Sequence, residues 1–175
     1  MKNSTKVALG GIIAALSIVV MLMAYFPYLT YALPAIAGCL LVIIVVEMGV
    51  KSAFAVFLAV GILSFFICEK EASVLYLLFF GYYPIIKSYL ERIKSRVAEW
   101  VLKFLIFNVG FSLAFVITTS VLLIDVDMMG DFGKYGFLVL LGLGNVVFGI
   151  YDVAVTRLIS VYFASFRNKI KKLIK

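Results

Sequence analysis

The sequence predicts an all-α polytopic membrane protein with six transmembrane helices and a short amphipathic surface helix between the fourth and the fifth. Three observations carry this expectation. Apolar residues make up 65% of the chain and charged residues 14%, where an ordinary globular domain has about 45–50% and about 25%. So little polar surface cannot cover a water-soluble particle, and so apolar a chain does not stay disordered. Second, the apolar residues lie in long runs. No charge occurs from Val7 to Val46, a stretch of 40 residues, enough for two crossings at roughly 20 residues each. Third, most basic residues sit at the ends of these runs, as in a membrane topology signal. The chain, 1–175, reads as a single integral membrane domain.

The first span covers about 7–26 and the second about 32–48. Pro27 and Pro34, with Tyr25, Tyr28, Thr30 and Tyr31 around them, mark the break between them. Proline is tolerated in the first turn of a helix, and tyrosines anchor at the membrane interface. Lys2 and Lys6 ahead of an apolar run also suit a signal peptide. A-x-A occurs at Ala35-Ile36-Ala37, too far along the chain for cleavage and inside an apolar run, so the first span is expected to be retained. The third span runs over about 52–67 and ends in the charged turn Glu69-Lys70-Glu71. The fourth, about 72–86, is short for a crossing, and Pro84 is expected to kink or end it. In 87–100, Leu90, Ile93 and Val97 recur at helical spacing among Lys87, Glu91, Arg92, Lys94, Arg96 and Glu99. That pattern predicts an amphipathic helix on the membrane surface, with a solvated connector helix as the alternative. The fifth span covers about 101–124. An acidic loop follows with Asp125, Asp127 and Asp131. The sixth span covers about 135–163, and a basic tail closes the chain at 167–175.

Six spans put both termini on one side. Fourteen of the 16 basic residues fall on that side, leaving only Lys70 and Lys134 on the other. The positive-inside rule then predicts a multi-pass protein of the cell membrane with both termini cytoplasmic. Five of the nine acids (Glu69, Glu71, Asp125, Asp127 and Asp131) fall on the outer side, the face a solute meets. The net charge of +7 is read as this topology signal rather than as a nucleic-acid footprint.

The chain has no histidine, so histidine-based metal sites and general bases are unavailable. No nucleotide-binding loop is present. Cys39 and Cys68 sit in separate apolar runs and read as small buried residues. The carboxylates are mostly in loops and no nucleophile–base pair is apparent, so the chain is not expected to be an enzyme, nor to carry a metal or cofactor.

Polar groups within the spans are the candidate functional residues. In the sixth, Gly142, Asn145, Gly149, Asp152 and Thr156 follow steps of three and four and share one face. That face should meet other helices, because lipid cannot satisfy Asn145 or Asp152. For Asn145 a solute cavity and helix packing both remain open. Asp152 is expected to pair with Arg157 or with a neighbouring helix. In the fifth span Asn108, Ser112, Phe115 and Thr119 form a weaker face, and its hydroxyls are expected to bond their own backbone. Tyr76 lies towards the outer end of the fourth span, where an outward-facing pocket could use it. In the first span the pairs Gly10-xxx-Ala14 and Gly11-xxx-Ala15 make a smooth patch that another helix can approach closely.

Six spans, cytoplasmic termini, the small-residue pairs of the first span and the aromatic loop Tyr25-Phe26-Pro27-Tyr28-Leu29-Thr30-Tyr31 together resemble the substrate-binding S components of energy-coupling factor (ECF) transporters. The resemblance is architectural and covers nearly the whole chain. It implies a subunit that captures a vitamin-like or other small solute and docks on a transmembrane coupling subunit and its ATPases. It would put docking on Gly10, Gly11, Ala14 and Ala15, gating on Tyr28 and Tyr31, and solute binding on Tyr76, Thr119 and Asn145. The outer halves of the last three spans carry few polar groups, which points to a largely apolar or aromatic ligand. MreD-like membrane scaffolds, which bind partner proteins in cell-envelope assembly, have a similar architecture and are the alternative.

Overall fold

A computed structural model describes residues 3–26, 29–122 and 135–166, with backbone only for Ser165 and Phe166. Helix α1 (Asn3–Leu22) ends in a 3-10 turn, Met23–Tyr25. Helix α2 (Ala32–Met48) and helix α3 (Val50–Ile67) are separated by Gly49 alone. Gly49 has a φ of 85°, and its N–H donates to the carbonyls of Ile44 and Val45 at 3.1 Å each. That left-handed backbone suits glycine, and it lets α3 start at Val50, two residues before the sequence predicts. Helix α4 (Lys70–Leu75) opens on a Glu69 cap, whose carboxylate accepts from the N–H groups of Glu71 at 3.0 Å and Ala72 at 2.6 Å. A π turn (Tyr76–Phe80) joins α4 to α5 (Tyr83–Leu90). Helix α6 (Arg96–Val116), capped by Ser95, ends in a second π turn, Ile117–Val121. Helix α7 (Gly136–Val161) runs into a third, Tyr162–Phe166.

Four of these rods are long and apolar enough to cross a membrane: Asn3–Tyr25, Val50–Ile67, Arg96–Val121 and Gly136–Ala164. Helix α2 is apolar but has only 17 residues. Their outward faces are aliphatic and aromatic, with Val7, Phe66, Val97 and Ile150 all at least 67% exposed. Such a surface suits lipid and not water.

Two packed regions lie inside. Helices α1, α2 and α3 close around Ile13, Met21, Leu41, Phe57 and Val60, with Tyr76 completing the group. The second region is aromatic. Phe79 and Tyr83 meet Phe107 from α6 and Phe148 and Tyr151 from α7. Phe107 and Phe148 stack with centroids 4.9 Å apart and planes 7° off parallel.

The expected surface helix at 87–100 does not form. Residues 87–90 continue α5, residues 91–95 turn, and residues from 96 onward belong to α6. Ser95 restarts the helix by accepting from the N–H of Ala98 at 3.4 Å. Lys87, expected on a solvated face, is fully buried. The fourth rod also runs past Pro84 instead of ending there. The break is the π turn before it, and Pro84 sits in the first turn of α5, where its missing N–H costs little.

That π turn is gripped by glycines of two other helices. A Cβ on Gly38 of α2 would overlap the Phe80 carbonyl, and one on Gly110 of α6 would stand 2.6 Å from the Leu78 carbonyl oxygen. By contrast, Gly142 and Gly149 of α7 face open space. The stripe predicted on the sixth span therefore divides: Asn145 and Asp152 face the bundle, while Gly142 and Thr156 are exposed.

Candidate functional site

Helix α6 presents Phe107, Phe111 and Phe115 one turn apart, with Ala114 and Thr118 beside them. Across from these, α7 presents Gly144, Phe148 and Tyr151. Phe79 and Phe80 of the π turn close the inner wall. Together these residues line a cavity of about 330 Å³. Gly144 permits this wall, since a Cβ there would come within 3.0 Å of the Phe107 ring. Among the described residues Glu71 is the only charged one in the lining, and Tyr31, from the turn before α2, stands with it. The Tyr31 hydroxyl donates to Glu71 Oε1 at 2.8 Å, which ties the first loop to the first turn of α4. The Tyr31 phenol is pushed up, first by burial and then by its bond to Glu71.

Of the residues singled out in the sequence, Tyr31 reaches this cavity and the three proposed solute-binding residues do not. Tyr76 is buried on the α2–α3 side against Phe57, ring centroids 5.8 Å apart, with no partner for its hydroxyl. The Thr119 hydroxyl donates to the Phe115 carbonyl at 2.8 Å, on its own helix. Asn145 pairs reciprocally with Asn108 of α6. Each amide donates to the other's oxygen at 3.0 Å and to its own helix at 2.7 Å, to Leu141 and Phe104 respectively. All four amide protons and both amide oxygens, which lipid would strand, are satisfied in this way. The groove beside Asn145, with exposed Val146 and Ile150, lies open along the helix surfaces. Tyr28 lies outside the described residues, as do the acidic loop at 125–131 and the basic tail.

The first-span patch also divides. Gly10 is buried, and a Cβ there would meet Val56 of α3 at 3.4 Å; Ala14 packs against the same core. Gly11 and Ala15 are exposed, with open space beside Gly11.

Sequence reasoning missed the phenylalanine walls and Glu71. The signal was present: Phe107, Phe111 and Phe115 recur at steps of four, and Gly144, Phe148 and Tyr151 at steps of four and three. Alone, each row is indistinguishable from a packing face.

A second polar cluster lies at the other end of the bundle. The Asp152 carboxylate accepts from the Tyr83 hydroxyl at 2.5 Å, from Lys103 at 3.0 Å and from Lys87. Lys87 also pairs with Glu91 at 3.0 Å, and Lys103 with Glu99 at 2.7 Å. Asp152 is thus satisfied by α5 and α6 and not by Arg157. No family model, curated protein or solved structure matches the chain. Among the described residues no three His, Cys, Asp or Glu side chains are grouped to hold a metal ion.

Proposed function

We propose that the chain is the substrate-capturing membrane subunit of an ECF-type importer, taking a small solute and docking on a separate coupling subunit with its ATPases. The observation that carries the reading is the aromatic cavity bounded by the Tyr31–Glu71 hydrogen bond. Tyr31 belongs to the loop that gates such subunits, and Glu71 belongs to the acidic outer turn. In this reading the chain crosses six times with both termini cytoplasmic. The rod from Lys70 to Leu90 supplies the fourth crossing, its 21 residues reaching roughly 31 Å at 1.5 Å each. The Asp152 cluster then lies towards the cytoplasm, away from the cavity. Docking falls to the exposed half of the first-span patch, Gly11 and Ala15.

The test is purification of the native protein followed by mass spectrometry of any small molecule retained. A stoichiometric solute is expected, and Ala114→Phe, which fills the cavity, should lose it. A solute retained equally by the filled variant would move the site elsewhere. One observation favours the scaffold reading instead: the Asn108–Asn145 pair closes the α6–α7 interface by packing. Under that reading no solute is retained and partner proteins are.

A further inference from the structure

We infer that the cavity selects an organic cation with an apolar body, its charge seated against the Glu71 carboxylate and its body against the phenylalanine rings. The inference rests on the capture reading above. Its first ground is the charge inventory: among the described residues Glu71 is the one charged residue of the lining, and it has no cationic partner there, only the Tyr31 hydroxyl. The nearby Lys70 does not fill that role. Its ammonium bonds the Phe65 carbonyl and sits over the Phe65 ring, 4.8 Å from the centroid.

The second ground is the wall chemistry. Ring faces carry negative potential and attract a desolvated cation, and this is how aromatic cages hold quaternary ammonium groups. An anion would meet the charges of Glu71 and Glu69, with no cation among the described lining residues. A neutral ligand would leave the half-buried Glu71 carboxylate without a counter-charge. A cation supplies one, because the Tyr31 hydroxyl bonds Oε1 alone and leaves the carboxylate with further acceptor capacity. The volume suits a compact ligand, since 330 Å³ lies near the lower end of small-molecule sites, about 300–1,000 Å³.

The experiment is equilibrium dialysis of the full chain in phosphatidylcholine nanodiscs, with empty nanodiscs as the partition blank. The probes are benzyltrimethylammonium, its uncharged carbon isostere neopentylbenzene, and benzenesulfonate. Benzyltrimethylammonium should be retained at least tenfold more tightly than either of the others. Glu71→Gln, which keeps the shape and a hydrogen-bond acceptor for Tyr31, should cut cation retention at least tenfold and leave neopentylbenzene unchanged. Cation retention unaffected by Glu71→Gln overturns the inference. So does better retention of the neutral or anionic probe, which leaves the capture reading standing. No probe held above the blank, with no small molecule co-purifying from the native source, overturns both.

Discussion

Removing the Asp152 carboxylate would take from two buried ammonium groups, Lys87 at 0% exposure and Lys103 at 2%, the carboxylate they share, leaving each with one partly exposed partner, Glu91 or Glu99. Breaking a buried charge group by deleting one partner costs about 3–5 kcal/mol, whereas replacing the whole group with apolar residues is often neutral. Asp152→Asn should therefore lower thermal stability in detergent steeply. Asp152→Leu combined with Lys87→Met and Lys103→Met should recover most of the loss; an unchanged melting curve for Asp152→Asn would show the cluster to be dispensable. Asn145→Leu should cost about 0.6–2 kcal/mol. Because Asn108 is its partner, Asn108→Leu added to it should cost less than the two separate losses combined. Loss of ligand retention at unchanged stability would instead make Asn145 a binding residue. That Asp152 needed an internal partner was legible, because a lone carboxylate in an apolar run must be paired. Its partners were not legible. A lysine at the end of an apolar run serves a membrane surface or an interior equally well, and the helical spacing around Lys87 is the same in both cases.

At the scale of the helices, glycine position decides which substitutions the bundle tolerates. Gly110→Ala and Gly38→Ala press a methyl group into the carbonyls of the Tyr76–Phe80 turn and should cost about 1–3 kcal/mol by overpacking. Gly142→Ala and Gly149→Ala meet open space and should gain up to about 1 kcal/mol from helix propensity. Comparable losses for all four, by thermal melting, would remove the distinction. The α2 bounds could be read directly, since charge and a glycine punctuate the apolar run at Glu47 and Gly49. The break in the fourth rod could not. The sequence pointed to Pro84, but the turn forms where Gly38 and Gly110 admit its carbonyls, and those glycines lie on helices distant in the chain. The surface helix failed for a related reason: Leu90 and Lys87 do form one face, and that face is turned inward.

For the whole molecule, the proposed six crossings predict that an extracytoplasmic reporter is active when fused after Glu71 or Asp131 and inactive after Ser95 or Lys175. Activity at Lys175 would overturn the span count. The divided first-span patch makes a sharper test than a uniform one. Gly11→Leu with Ala15→Leu should fold normally and lose co-purification with the coupling module, because both residues are exposed. Gly10→Leu should destabilise the chain itself through Val56. Loss of folding in the first pair would return the entire patch to internal packing. Membrane character and helix content were readable from apolar fraction and run length alone. The cavity was not, because its walls come from three rods whose phenylalanines look individually like core.

The Asp152 cluster also sets an order of events during synthesis. Lys87 and Lys103 precede their carboxylate by 65 and 49 residues. At about 5–20 residues per second, Lys87 has only its helix neighbour Glu91 for roughly 3–13 s before Asp152 follows. Lys87 lies in the last turn of α5 and Lys103 about two turns into α6, so during that interval both ammonium groups can snorkel to the cytoplasmic surface instead of sitting in the bundle. Under the six-crossing reading, their settling in the bilayer is post-translational in character and is completed only when α7 arrives. A nascent chain halted before Asp152 should then leave Lys87 accessible to a water-borne amine reagent, and the full chain released from the ribosome should protect it.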